Sequence, residues 1–195
     1  MSENNKANSL RKQKREQRKN LSTPQQTQHA QQLAEQVLQH PAFIDSQSIA
    51  VYLANDGEID PTLIIEQAWR MGKRVYLPVL SAHENSLLFA HYEADTAMCR
   101  NEFGIDEPDS AAEHWLKAEH MDLIFLPLVA FDEQANRMGM GGGFYDRSLA
   151  NIHEQAKPTY LIGLAHEVQK THQLEVQSWD IPLDAIATEA AFYKA

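Results

Sequence analysis

Cysteine is almost absent: Cys99 is the only one in 195 residues. That excludes an internal disulfide and any metal site built on several thiolates. No apolar run approaches the roughly 20 residues that span a bilayer, and the N-terminal segment has no apolar core of a secretory signal. Positive charge is scarce, with 17 Lys/Arg against 27 Asp/Glu and a net charge of −10, so wholesale binding to nucleic acid is not expected. The nine histidines show no HExxH or other metal-ligand spacing, and each reads as a surface or core residue. No GxSxG is present, and no serine stands out as a nucleophile. Together these absences make a cytoplasmic protein the expectation. A transit peptide fits less well, because Glu3 and Glu16 interrupt the basic segment and serine is sparse.

At 43% hydrophobic residues the chain has the material for a sizeable core. Its charge is unevenly spread. Residues 1–20 carry seven Lys/Arg and two Glu, whereas the remainder is strongly acidic. Residues 1–9 read as a flexible tail and residues 10–195 as a single α/β domain. "LRKQKREQRKN" predicts a basic helix with Arg11, Arg15 and Arg18 on one face. Three readings of it stay open: a nucleic-acid arm, a lid giving charge to a phosphate site, or a solvated helix. A second helix begins with Thr23 as cap, Pro24 at its first position and Gln26 completing a capping box. Strand patterns then alternate with helical ones. Strands are predicted at 48–54, 74–80, 86–92, 122–131 (ending near Pro127), 159–166 and 184–189. Helices are predicted at 60–72, with Asp60 as cap and Gly72 past the end, and through "FYDRSLANI". This order predicts a three-layer fold, a mostly parallel sheet flanked by helices. Ligands in such folds bind beyond the carboxyl ends of strands, here after Leu53, Leu126 and Ala165.

Glycine is also scarce, yet four of the eight glycines fall within residues 139–143, in "RMGMGGGFYDR". Glycines let the backbone approach a ligand closely and turn its N–H groups inward. A helix starting at Phe144 adds a positive dipole end. Arg137 and Arg147 offer charge-assisted bonds to phosphate, and Asp146 offers a Mg²⁺ ligand. The bland alternative is a glycine turn with Asp146 as a cap and solvated arginines. The stretch is neither a Walker loop, lacking Lys-Ser/Thr, nor a dinucleotide fingerprint, since Phe144 takes the third glycine position. Elsewhere, "NDGEID" offers Asp56, Glu58 and Asp60. Asp60 reads as a helix cap and Glu58 as a loop carboxylate or a substrate contact. Asp180 in "SWDIPLD" reads as a turn residue.

The ordered series "YLANDGEID", "GKRVYLPVL", "FGIDEP", "DLIFLPLVAFDEQANRMGMGGGFYDR", "GLAHEVQ" and "WDIPLD" resembles the 5-formyltetrahydrofolate cyclo-ligase (5,10-methenyltetrahydrofolate synthetase) family, in its bacterial form. The similarity runs from about Leu10 to Glu189. The resemblance implies a Rossmann-like scaffold related to the ribose-5-phosphate isomerase/CoA-transferase type. It implies ATP- and Mg²⁺-dependent conversion of 5-formyltetrahydrofolate, with or without a polyglutamate tail, to 5,10-methenyltetrahydrofolate, releasing ADP and phosphate. The formyl carbonyl is amide-like and a poor electrophile. Phosphorylating its oxygen lets N10 attack the carbon and phosphate depart, which asks the protein mainly to position groups and neutralise charge.

The same resemblance implies site residues. Arg137, Met138, Gly139, Met140, Gly141, Gly142, Gly143, Phe144 and Tyr145 would form the ATP phosphate loop, with Met140 to Phe144 also bordering the folate. Asp146 and Asp180 would hold Mg²⁺, against the turn reading of Asp180. Leu53 and Glu58 would contact substrate, Glu58 through the pterin or by handling a proton near N10. Arg137 and Glu58 are therefore the expected catalytic pair. A family basic pair that meets ATP has its second member at Arg11. Its first falls on Ala7, beside Lys6. Met140 and Gly142 stand where relatives often carry a further basic residue, which leaves more charge to Arg137, the glycine nest and Mg²⁺. A monomer without nucleic-acid or membrane partners is expected. Rival readings are a non-catalytic ATP- or folate-binding module, an RNA-binding protein, or a sugar-phosphate isomerase or acyl-transferase on a similar scaffold. Two metal carboxylates argue against a pure anion binder.

Overall fold

The computed structural model describes residues 3–81, 85–102, 104–154 and 157–195. Met1 and Ser2 of the expected tail, and Phe103 of "FGIDEP", lie outside the described residues. The elements in chain order begin with α1 (Glu3–Lys19), α2 (Thr23–Val37), α3 (Pro41–Asp45), β1 (Ser48–Ala50) and α4 (Thr62–Arg70). Then come β2 (Arg74–Leu80), β3 (Leu87–His91), β4 (Met98–Arg100), β5 (Asp106–Pro108), β6 (Leu123–Pro127) and β7 (Ala130–Phe131). The last are β8 (Arg137–Met138), α5 (Phe144–Ser148), β9 (Tyr160–Leu164), β10 (Ala185–Ala187) and β11 (Phe192–Lys194). Among the described residues no helix is long and apolar enough to cross a membrane.

Seven strands form one sheet in the order β11-β10-β9-β6-β1-β2-β3. The five central strands are parallel, and only the edges β3 and β11 run antiparallel. The alternation of strand side chains divides the core. Ile49, Val75, Leu123, Phe125 and Ile162 point to the layer of α2, α3 and α4, where Leu33, Val37, Phe43 and Ile64 bury them. Ala50, Ile124, Leu126, Leu161 and Ile186 point the other way, onto Phe131, Leu149 and Ile152. The four branched or aromatic side chains of β6, Leu123 to Leu126, carry no polar group on either face, as a strand covered on both sides requires.

Several boundaries depart from the sequence reading. The interval read as a tail is helical from Glu3. The second helix is capped one residue early, by Ser22 with Gln25 closing the capping box, so Pro24 falls at the second helical position. The strand at 48–54 pairs only through Ala50, after which the chain leaves both neighbours to build a turn. The apolar run 122–131 stops pairing in the main sheet at Pro127 and re-pairs as β7 with β8. The helix after the glycines stops at Ser148, whose hydroxyl donates to the Phe144 carbonyl at 2.7 Å. Pro61, expected at the first helical position of α4, is its N-cap residue instead, and Asp60 caps from one position farther out, accepting from the Thr62 N–H at 2.9 Å; Gly72 takes φ +70° just past α4.

Candidate active site

The topology locates the site before any side chain is considered. From β1 the sheet grows through β2 on one side and through β6 and β9 on the other. The carboxyl ends of β1 and β6 therefore flank a switch-point crevice, where doubly wound folds bind ligands. Helix α1 lies over that crevice. Arg18 is fully buried in it. Its Nε donates to the Asp56 carbonyl at 2.9 Å, its Nη1 to the Leu128 carbonyl at 3.1 Å and its Nη2 to Asp56 Oδ2 at 3.1 Å. Nη2 also lies 3.6 Å from Glu58 Oε1. One turn earlier, buried Lys14 donates to the carbonyls of Val168 and Lys170. Arg11 Nε donates to the Gly139 carbonyl at 2.9 Å. One helix thus ties together the loops after β1, β6, β8 and β9. The solvated-helix reading fails for this face, and Lys14 and Arg18 are not available to an RNA. The expected shared face of Arg11, Arg15 and Arg18 holds, with Lys14 joining it: Arg15 Nε donates at 2.6 Å to the same Asp56 Oδ2 that Arg18 reaches.

The turn after β1 holds two carboxylates in opposite states. Asp56 and Gly57 both have positive φ, 53° and 75°, and the Glu58 N–H closes the turn on the Asn55 carbonyl. A Cβ on Gly57 would stand 3.3 Å from Lys19 of α1, so glycine permits the close approach of helix and turn. The Arg15 guanidinium, with Lys19 and Arg18, holds Asp56 far below the usual carboxylate range. Glu58 is pushed the other way: burial raises its pKa, and the partial charge of Arg18 only offsets this. Tyr145 of α5 shares this low-dielectric region, its pKa raised by burial and by Glu58, and Tyr52 donates from its hydroxyl to the Ile59 carbonyl at 2.9 Å. Glu58 and the glycine loop accordingly meet around Tyr145.

The glycine loop is delivered by the β7–β8 ribbon. Buried Asp132 organises the connection, accepting from the Gln134, Asn136 and Leu174 N–H groups. Beyond Arg137, Gly141 and Gly143 adopt φ +95° and +66° on either side of Gly142, left-handed conformations of the kind that backbone anion nests use. Arg147 Nη2 donates to the Gly142 carbonyl at 2.8 Å and braces the loop from behind. Arg137 Nη2 donates to Asp146 Oδ1 at 2.7 Å, and the Ile181 N–H reaches the same oxygen at 3.4 Å. Asp180, one residue earlier, accepts from the Gln177 N–H at 2.8 Å through Oδ2, so its turn role is real. Among the described residues Asp146 Oδ2 and Asp180 Oδ1 have no protein partner; the Ile181 contact brings the Asp180 corner to Asp146, and carboxylate oxygens are donors of the kind a hard divalent cation takes. Between α1 and the loop lies a cleft of about 380 Å³, lined by Arg11, Lys12, Arg15, Lys19, Glu16 and Met140 among others.

The fold therefore gathers Arg11, the 137–146 stretch, the Asp180–Ile181 corner and, through Tyr145, Glu58. Leu53 is half-buried beside the core at the start of the turn. Lys6 is exposed and does not line the cleft. Sequence reasoning missed Lys14, Asp132, the buried clamping role of Arg18 and the bracing role of Arg147. The i, i+3, i+7 spacing of Arg11, Lys14 and Arg18 was the one available signal.

Comparison with known proteins agrees over nearly the whole chain. A family model described as the 5-formyltetrahydrofolate cyclo-ligase family matches residues 3–189. The chain is 41% identical to the 5-formyltetrahydrofolate cyclo-ligase of Escherichia coli K12 over 182 residues, covering 92% of this chain and 98% of that one. It is 42% identical to the Haemophilus influenzae protein of the same name over 167 residues, covering 85% and 88%. The solution structure of Aquifex aeolicus 5,10-methenyltetrahydrofolate synthetase superimposes with a TM-score of 0.80 at 28% identity, covering 96% of this chain and 92% of that one.

Proposed function

The chain belongs to the 5-formyltetrahydrofolate cyclo-ligase family, and on that premise we propose that it closes 5-formyltetrahydrofolate to 5,10-methenyltetrahydrofolate at the expense of ATP, releasing ADP and phosphate. The observation that carries the reading is the glycine loop at 139–143, whose Met140 lines a cleft with four cations of α1 and whose Gly141 lies against Arg11. That combination suits a polyphosphate better than a single anion. Relation of the scaffold to the ribose-5-phosphate isomerase/CoA-transferase type fits the same placement of an anionic ligand at the switch point.

The nest N–H groups, Arg11 and Arg137 bind the phosphates, and Met138 to Tyr145 border the nucleotide. When bound, ATP supplies the group that turns the formyl oxygen into a leaving group. Asp146 and Asp180 would hold Mg²⁺, whose charge draws electron density from the phosphates. Binding it asks Asp146 to share or release Arg137, which then turns its guanidinium to the phosphates. Leu53, Met140 and Phe144 form the apolar border of the folate. Ring closure requires N10 to lose its proton. Glu58, a carboxylate whose pKa burial raises, is the group suited to take that proton. Arg18 and Asn55 hold Glu58 in place.

Incubating the protein with 5-formyltetrahydrofolate, ATP and Mg²⁺ should produce the near-ultraviolet band of the methenyl product. A non-hydrolysable ATP analogue should give none. Equal product with the analogue would overturn the reading.

A further inference from the structure

Three side chains that this chemistry does not use meet behind the turn that carries Glu58. His29 lies on α2, His166 follows β9 and Glu189 follows β10. His29 Nδ1 is 2.9 Å from His166 Nδ1 and 3.2 Å from Glu189 Oε1, and the three ligand atoms all fall within 4.8 Å of one another. His166 is fully buried, and the side chains of His29 and Glu189 are 16% and 10% exposed.

Protons alone do not satisfy this cluster. A proton on His29 Nδ1 serves either His166 or Glu189. A proton on His166 Nδ1 points at His29 and leaves the His29 lone pair facing a carboxylate oxygen. Buried His166 Nε2 makes no close hydrogen bond among the described residues, with only the Gly57 and Glu58 peptides on its side.

We propose that His29, His166 and Glu189 form a binding site for one divalent transition cation of the zinc class. Zinc takes imidazole nitrogen at about 2.0–2.1 Å and carboxylate oxygen at about 2.0–2.2 Å, so tetrahedral donors stand about 3.3 Å apart, close to the 2.9 and 3.2 Å that separate His29 Nδ1 from His166 and Glu189. The surroundings hold the ligands in place as outer groups of metal sites do. Glu189 Oε2 accepts the Glu167 N–H at 3.0 Å, and the His166 N–H donates to Gln169 Oε1 at 2.9 Å. With both Nδ1 atoms on the metal, the His166 proton moves to Nε2, on the side of the Gly57 and Glu58 peptides. Arg18 opposes a cation there, but Asp56 and Glu58 already partner it. The fourth position falls to water on the partly exposed side. Magnesium, which prefers oxygen ligands, does not suit two imidazoles, so this site is distinct from that of Asp146 and Asp180. The cation would tie α2 to the ends of β9 and β10.

The protein, stripped with chelator and shown folded by circular dichroism, should take up an equimolar amount of Zn²⁺ with an affinity of about micromolar or tighter. Its melting midpoint should rise. Co²⁺ should give the intense visible bands of a tetrahedral site. Millimolar Mg²⁺ should not compete. His29→Ala and the near-isosteric Glu189→Gln should each weaken Zn²⁺ binding by about ten-fold or more. These readouts do not depend on turnover, so they stand apart from the cyclo-ligase assay. Absence of saturable uptake by the unmodified chain, or unchanged affinity in Glu189→Gln, would overturn the proposal.

Discussion

The glycine loop and the acidic turn both lie at the carboxyl ends of strands, and they are built in opposite ways. The loop around Gly141–Gly143 is exposed or half-exposed and works through its backbone, with positive φ at two glycines and bracing from Arg147. The turn at Asn55–Glu58 works through side chains, and its two carboxylates differ because their neighbours differ: Asp56 faces Arg15, Lys19 and Arg18, while Glu58 is desolvated. A backbone device needs a residue type. A charged-state device needs a set of neighbours brought from elsewhere, here α1.

The largest expected effect breaks the loop's charge partner. Asp146→Asn keeps the shape and removes the charge, so kcat should fall on the order of 10²–10³-fold, with a raised Mg²⁺ requirement. Loss of the ion pair to Arg137 should alter stability by only about 1 kcal/mol. Kinetics and Mg²⁺ titrations on the folded variant check this, and wild-type behaviour would return Asp146 to a structural role.

On the other side of the comparison, Arg18→Met should destabilise the protein by about 3 kcal/mol in denaturant titrations, since it leaves buried carbonyls and Glu58 without their partner. A loss under about 1 kcal/mol would mean that α1 does not clamp the turn. Within the loop, Gly143→Ala meets two obstacles: φ +66° and an Arg147 Nη1 atom 2.8 Å from the new Cβ. It should cost about 1–2 kcal/mol locally and raise KM for ATP more than KM for folate. Gly139→Ala, whose Cβ meets nothing within 4 Å, should change stability by less than about 0.5 kcal/mol, which separates backbone conformation from mere glycine content.

The smallest effect is on pH dependence. Asp56 is depressed in the folded state, so it contributes stability above its unfolded pKa, near 3.8, and that contribution is lost as pH falls below it. Asp56→Asn should flatten the acid limb of the stability curve. Glu58 is raised, so its ionisation works against the fold as pH rises above the unfolded value near 4.5. Glu58→Gln should leave neutral-pH stability equal or higher. Matching pH profiles for the two variants would contradict their opposite environments.

Local rules were enough for much of this. The Arg74–Leu80 strand, the Asp60 cap, the break at Pro127 and the glycine loop follow from periodicity, φ restrictions and hydrogen-bonding capacity within a few residues. The cap of α2 slipped by one because Ser22 and Thr23 are equally able to cap, and β1 was overread because apolar residues also line the chain where it leaves the sheet. The sequence by itself determined the layered parallel sheet, the phosphate-suited glycines and the family. Only the tertiary structure decided that Lys14 and Arg18 are buried tethers while Arg11 and Arg15 border a cleft, that Glu58 and Asp56 titrate in opposite directions, and that His29, His166 and Glu189 meet. Each of those depends on desolvation and on charges from segments distant in sequence, and a side chain's own identity specifies neither.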